Sequence, residues 1–429
     1  MRYDPINKEL FIQNRRNLAA RIKPGSVAVI QANDIMPTNA DGTMKFIQNS
    51  NLLYLTGVDQ EESIVLIAPD FPDEKMREIL FLRETNEEIA VWEGHKLTKE
   101  EGHETSGIKN IKWTKEFDKL FYTILAECDH IYLDSNEHIR NASSVETRNA
   151  RFVKECQERY PLYQYERLFP ILQDLRCVKS QIEVELLQKA CDITEKGFRR
   201  ILEGLKPGMM EYEVEAEYLH EFVRNRSKGF AYEPIIGGGG NSCVLHYLDN
   251  NQELKDGDIL LMDVGAEYAN YHADMTRTIP VNGRFSKRQR EVYEAVLRVK
   301  NKATDMLKPG NRIPEYHAEV GKIMESELLG LGLIDQTDIK NENPEWPAYK
   351  KYFMHGTSHH IGIDVHDVAS IYKDFEEGMV FTVEPGIYIP EENIGIRIED
   401  NVFITAEGPI NLMKNLPIEA EEIEELMNK

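Results

Sequence analysis

No stretch of this chain approaches the roughly 20 consecutive apolar residues that cross a bilayer as a helix, so a helical membrane protein is not expected. The opening segment, MRYDPINKELFIQNRRNLAARIKPG, has mixed charge and no apolar core, which excludes a signal peptide or transit peptide on pattern. Positive charge is in short supply: 51 Lys and Arg stand against 74 Asp and Glu, a net charge of −23. Nucleic acid and anionic membranes are therefore poor general partners. Cysteine is scarce and scattered, with five residues (Cys128, Cys156, Cys177, Cys191, Cys243) and no C-x-x-C pair. An odd count at wide spacing points to reduced thiols in a cytoplasm and away from a disulfide framework or zinc ribbon. The nucleotide and hydrolase signatures are missing too: no Walker sequence, no G-x-S-x-G, no repeat and no low-complexity tract. The run GGGG at 237–240 lacks G-x-G-x-x-G spacing and a following helix signal, and reads as a tight loop beside a substrate.

What is present is an ordinary soluble composition, 41% hydrophobic and 29% charged over 429 residues, enough for two or three domains. Up to about residue 170, short apolar runs (SVAVIQA, SIVLIAP, EILFLRE, HIYLDS) alternate with charged helical stretches such as TKEFDKLFYTILAEC. That alternation predicts an α/β domain with a mixed, partly parallel sheet over 1–174. The second domain, 175–429, opens with a helix whose start is a capping box, Ser180 with Glu183, and whose apolar stripe is Ile182, Leu186, Ala190 and Ile193. Another helix follows Pro207-Gly208, with Val214, Tyr218 and Phe222 on its stripe. DILLMDVG, YHADMTRTIPV, MVFTVEPGIYI and IGIRIEDNVFI then read as strands of an α+β domain with a largely antiparallel sheet, helices on one side, and an acidic surface helix at the end.

The informative feature is where the acids fall. Asp263 ends the run Ile259, Leu260, Leu261, Met262; Glu384 follows Val380, Phe381 and Val383; Glu399 follows Ile396 and Ile398. A carboxylate in a buried strand costs several kcal/mol unless it is paired or holds a metal. One such acid is compatible with a core ion pair; three in one domain point to a shared function. Asp274 adds a fourth, since the intervening GAEYANYH can turn the chain back and set Asp263 and Asp274 across a hairpin. Alternation puts Asp274, Thr276 and Thr278 on one strand face and Arg397 with Glu399 on another. In addition, four of the twelve histidines crowd into HGTSHHIGIDVHD at 355–367. Such an oxygen-rich set with a nitrogen donor has too many anions for one zinc and suits two divalent ions, with manganese, cobalt or iron as candidates.

The motifs DVGAEYANYHADMTRT, HGTSHHIGIDVHD, TVEPGIYI and GIRIEDNV closely resemble those of the dinuclear pita-bread metallopeptidases, and within them aminopeptidase P, the Xaa-Pro aminopeptidases. NADGTMKFIQNSNLLYLTGV, GGGGNSCVLHYLDN and PVNGRFSKRQREVYEAVL extend the resemblance over nearly the whole chain. It implies a pita-bread catalytic domain and five metal ligands, Asp263, Asp274, His359, Glu384 and Glu399, of which Asp274 and Glu399 bridge two ions, most simply Mn²⁺. It further implies that His246 and His366 act on the scissile carbonyl region, that His355 lines the proline pocket, and that Arg397 supports the ligand acids. Trp92 resembles a tryptophan that reaches a neighbouring subunit's site, which implies a homodimer or homotetramer. Two departures stand out. His360 replaces what is more often a bulky or aromatic residue, and reads as packing. The segments VASIYKDFEEG and IPEENIG are shorter than in many relatives, which bears on the rim of the site.

The resulting expectation is cleavage of the Xaa-Pro bond at a peptide's N-terminus by a metal-bridging hydroxide, with Glu384 carrying a proton to the departing proline nitrogen. Cys243, close before His246, is set aside as a nucleophile because the metal set already supplies one. A prolidase of the same fold is the alternative, differing in how the substrate's C-terminal end is closed off. An inactive binding relative is the remote one, since such relatives lose ligands.

Overall fold

The computed structural model describes residues 2–429. It contains two compact units, Pro5–Arg176 and Cys177–Lys429, and residues 2–4 belong with the second. They are fastened there by the Asp4–Arg226 ion pair, by Arg2 donating to the Ser227 carbonyl at 3.3 Å, and by Tyr3 meeting Tyr268 edge-on at 6.2 Å.

The unit Pro5–Arg176 is built on six strands: β1 (Ser26–Gln31), β2 (Ile64–Ile67), β3 (Glu78–Leu82), β4 (Asn110–Trp113), β5 (His130–Leu133) and β6 (Gln164–Arg167). They lie in the order β4-β3-β2-β1-β5-β6. The pairs β3–β4, β1–β5 and β5–β6 run parallel, and β1–β2 and β2–β3 antiparallel, which is the mixed sheet expected. Its central strands are apolar without alternation because both faces are covered. On one face Val27, Val29, Leu66 and Phe81 pack with Phe117, Phe121 and Leu125 from the helix Phe117–Leu125 and with Phe152 and Cys156 from the helix Arg148–Arg159.

In the second unit the helix Gln181–Gly204 starts at the Ser180–Glu183 capping box, as expected. Leu186, Ala190 and Ile193 are buried, but Ile182 is only half-buried and the covered stripe is wider than the sequence suggested. Val184, Leu187, Cys191, Phe198 and Ile201 are buried as well. The reason is that this helix packs against the helix Glu211–Arg224 and also against strands, so more than one side is covered. Val214, Tyr218 and Phe222 of Glu211–Arg224 are fully buried. The strands are β7 (Ile235–Gly238), β8 (Ile259–Asp263), β9 (Glu267–Tyr268), β10 (Tyr271–His272), β11 (Thr276–Pro280), β12 (Val380–Val383), β13 (Gly386–Ile389), β14 (Ile394–Arg397), β15 (Asp400–Thr405) and β16 (Gly408–Asn411). Every pairing among them is antiparallel: β7–β8–β11, β9–β10, β12–β15–β16 and β13–β14.

Candidate metal centre

The centre begins with a hairpin. β8 buries Ile259 to Met262 and ends at Asp263, which pairs across to Thr276 of β11. Between them the chain makes the small hairpin β9–β10, whose turn residues Ala269 and Asn270 both have positive φ, 55° and 64°. That is the backbone a tight two-residue hairpin requires, although alanine adopts it at a cost. Gly265 lets the returning strand close in: a Cβ there would lie 1.8 Å from the Ala273 carbonyl oxygen. The hairpin thus brings Asp274 beside Asp263, and one hydroxyl bridges them. Tyr232 Oη lies 2.6 Å from Asp263 Oδ1 and 2.5 Å from Asp274 Oδ1.

β14 and the residues just after it supply the opposite wall. Arg397 donates to Asp263 Oδ2 at 2.6 Å, to Thr276 Oγ1 at 3.0 Å and to the Tyr388 hydroxyl at 2.8 Å. Glu399 Oε2 accepts from Thr276 Oγ1 at 2.7 Å, whereas its buried Oε1 has no protein partner. Glu384 directly follows β12, with its backbone N–H on the Thr357 carbonyl at 2.9 Å. His359 Nε2 lies 3.4 Å from Asp274 Oδ2 and 3.7 Å from Glu384 Oε1. Ligand atoms of Asp274, His359 and Glu399 all lie within 4.8 Å of one another.

These acids cannot all stay ionised beside one another without a cation. Burial, then the neighbouring carboxylates, push Glu399 well above the ordinary carboxylate range. Glu384 is pushed up to about 7, again chiefly by burial, with His359 and Arg397 pulling the other way. Asp263 is raised by burial despite Arg397. For His359, burial opposes the charged form, yet Asp274 and Glu384 outweigh it and raise the pKa. His359 Nδ1 lies 3.0 Å from the His360 carbonyl and donates to it, which leaves Nε2 facing the two carboxylates. An orphaned buried oxygen, a ring nitrogen facing carboxylates and a cluster of acids whose burial disfavours their charge are what a hard divalent cation relieves. The donor set therefore fits a metal.

The remaining histidines divide by surroundings. His366 sets its ring edge-on to His359, with centroids 4.4 Å apart. His355 Nδ1 donates to the Gly356 carbonyl at 2.8 Å, so its Nε2 accepts from the Tyr388 hydroxyl, also at 2.8 Å. Burial and the Arg397 charge push its pKa down to about 3, and it stays neutral. A continuous chain thus runs from Asp263 through Arg397 and Tyr388 to His355. His246 sits on an exposed turn beyond the 3-10 segment Gly239–Cys243, near enough for its charge to help depress His355. His360 is buried with its ring 4.1 Å from that of Phe381, and its main chain bridges the same residue. Cys243 is half-buried with its thiol pushed up by burial, the opposite of an activated nucleophile. Trp92, on the helix Glu87–Glu93 of the other unit, is 83% exposed.

Sequence reasoning missed Tyr232, Tyr388 and Thr382, the last of which accepts from the His359 backbone N–H at 3.1 Å. Alternation had already placed Thr276 on the Asp274 face, but nothing local marks a tyrosine far upstream as the bridge between two aspartates. It also missed the support behind Glu399. Arg277 and Asp400 are wholly buried and pair at 2.6 Å; Arg277 also donates to the Glu399 carbonyl at 2.7 Å, and Asp400 meets Lys300 and Asn411. Burial alone would raise the Asp400 carboxyl; Arg277 and Lys300 outweigh it and hold it below the usual range.

Residues 185–406 match the model of metallopeptidase family M24, and residues 11–132 match the aminopeptidase P N-terminal domain. The chain is 36% identical to the Xaa-Pro aminopeptidase of Haemophilus influenzae over 99% of its own length and 98% of that protein. This chain belongs to the aminopeptidase P family of M24 metallopeptidases. The family's Escherichia coli Xaa-Pro aminopeptidase is also 36% identical, over 98% of each chain. A structure of Escherichia coli aminopeptidase P with the inhibitor Pro-Leu superposes with a TM-score of 0.88 at 34% identity, covering 99% of both chains. The two-unit architecture described above is accordingly the aminopeptidase P fold, with a pita-bread second unit, and the family is one of divalent-metal peptidases. Among the described residues no helix is long and apolar enough to cross a membrane.

Proposed function

We propose that this chain removes the N-terminal residue of peptides whose second residue is proline, using two divalent ions of the manganese class held by Asp263, Asp274, His359, Glu384 and Glu399. The observation that supports the reading is the cluster of Asp274, His359 and Glu399, whose ligand atoms lie within 4.8 Å of one another, with Glu384 3.7 Å from His359 Nε2, Asp263 joined to Asp274 by the Tyr232 hydroxyl, and Glu399 Oε1 left without a protein partner. Once bound, such ions supply a nucleophile from water near neutral pH and polarise the scissile carbonyl. The protein's own groups do the rest. Asp274 and Glu399 would help hold the ions together with Asp263, His359 and Glu384, and Tyr232 and Arg397 fix the orientation of the aspartates from outside. Glu384 carries the proton to the departing proline nitrogen. His366, beside His359, and His246, on the exposed turn, donate to the developing oxyanion or to the proline carbonyl. Neutral His355, with Phe353 edge-on to it at 5.0 Å, offers an uncharged wall to the proline ring.

We further propose that peptides longer than a dipeptide are accepted, that the protein works as a homodimer or homotetramer, and that its compartment is the cytoplasm. Five cysteines with no disulfide among the described residues support a reducing environment, and the exposed Val91–Trp92 pair supports burial against a second copy. The test is matched Xaa-Pro, Xaa-Pro-Yaa and pentapeptide assays on protein reconstituted with Mn²⁺. Tripeptides and longer substrates should give kcat/KM at least equal to the dipeptide, and replacing proline by alanine should lower it sharply. A strong dipeptide preference would move the assignment to prolidase, and indifference to proline would remove both. Sedimentation at assay concentration reads the assembly, where a fully active monomer would rule out a shared site.

A further inference from the structure

His246 stands on an exposed turn and, among the described residues, its ring makes no hydrogen bond to another side chain or backbone group. Its direction must therefore come from the loop that carries it. Glu215 accepts from Asn250 of that loop at 3.0 Å, but one acid clasps both its ends and its middle. Glu211, at the start of the helix Glu211–Arg224, is fully buried, and its carboxylate is saturated by four donors. Oε1 accepts from the Gly238 backbone N–H at 2.8 Å and from Asn241 Nδ2 at 3.1 Å. Oε2 accepts from the Tyr247 hydroxyl at 2.8 Å and from the Gln252 backbone N–H at 2.9 Å. These donors come from both ends of the loop and from the residue next to His246. Tyr247 belongs to one buried cluster with Ile235, Leu261 and Tyr388, so the clasp also ties the loop to the packing around the Arg397–Tyr388–His355 chain. The Glu211 backbone completes the anchor by donating to the Gln252 carbonyl at 3.0 Å.

We propose that Glu211 is a positioning residue for His246: its buried carboxylate clamps the 238–252 loop so that the exposed imidazole is aimed at the scissile region. The inference rests on the role given to His246 above. An amide at this position keeps the shape but offers one acceptor oxygen in place of two, so two of the four donors would face an NH₂ group. A small displacement of the loop is then expected to be costly, because a shift of about 1 Å in a positioned group can lower turnover by up to 10²-fold.

The experiment is a double-mutant cycle on the metal-loaded enzyme, reading kcat, KM, metal content and thermal unfolding for Glu211→Gln, His246→Ala and the double variant. Glu211→Gln should lower kcat on the order of tenfold with KM and metal content little changed, and the loss should vanish in the His246→Ala background. If Glu211→Gln folds poorly, Tyr247→Phe removes one donor while keeping the ring; it should give a smaller kcat loss that also disappears without His246. Additive losses, in a background where His246→Ala alone is impaired, would leave His246 in its role and overturn that of Glu211. A His246→Ala enzyme with normal kcat would remove the role of His246 and this inference with it. A lower unfolding temperature with unchanged kcat would make Glu211 purely structural and overturn the proposal.

Discussion

His359 and His366 stand with their rings edge-on, and different work is proposed for each. His359 Nε2 faces Asp274 and Glu384, at 3.4 and 3.7 Å, and the His366 ring packs on its edge. His359→Ala should therefore lower metal content and turnover together. His366→Ala should keep the metal and lose turnover by about 10²-fold or more, as loss of a transition-state donor does. Elemental analysis beside steady-state kinetics checks both, and the reverse pattern would exchange the two assignments. At this scale the acids were legible because a charge at the end of an apolar strand needs a reason. Tyr232 was not, because a tyrosine near glycine and proline looks like any other half-buried aromatic until the fold sets it between Asp263 and Asp274.

The element that matters most is the β8–β11 hairpin. Its strands were readable from their apolar runs, and its closure was expected from the turn-forming stretch between the aspartates. What could not be read was how tight the closure is. With a Cβ at Gly265 pressed to 1.8 Å from the Ala273 oxygen, Gly265→Ala should splay Asp274 from Asp263 and abolish tight metal binding, measured by titration calorimetry. Wild-type affinity in that variant would contradict the geometry. Behind the same sheet, Arg277→Met leaves Asp400 with Lys300 and Asn411 but without its guanidinium, and deprives the Glu399 carbonyl of a donor. Breaking a buried pair of this kind costs about 3–5 kcal/mol. Urea unfolding of the second unit's transition in the intact protein reads that loss, and a change within error of zero would mean that the cluster relaxes around the missing charge.

For the molecule as a whole, the metal is expected to be a structural asset as well as a chemical one. Acids that repel one another in the metal-free protein become ligands when a divalent ion binds, and binding to the native state alone raises stability by mass action. Chelation should therefore lower the unfolding temperature by several degrees, with recovery on adding Mn²⁺; scanning calorimetry of the two forms decides it, and identical transitions would argue against an ion among these residues. The thiols give an independent check on the interior. Burial pushes Cys156 up to about 12 and Cys128 up to about 11, and holds Cys191 well above the usual thiol range. A thiol reagent at neutral pH should label these three slowly in the native protein and all five cysteines quickly after unfolding. Rapid native labelling of Cys156 or Cys191 would show that the packing around them is looser than described.

Sequence alone determined the class of the fold, the mixed sheet and antiparallel strands, the helix starts, and the residue types of the centre. Those follow from local rules: periodicity, caps, and the free-energy cost of placing carboxylates in apolar strands. Tertiary structure decided the rest, because it depends on residues far apart in the chain. Only the folded chain joined residues 2–4 to the second unit, widened the buried stripe of Gln181–Gly204, and brought Tyr232 between the two aspartates. It linked Asp263 to His355 through Arg397 and Tyr388, and closed four donors on Glu211. Each is a hydrogen bond or packing contact between segments that share no period, and such partners are chosen by the packing of whole strands and helices, which no local pattern encodes.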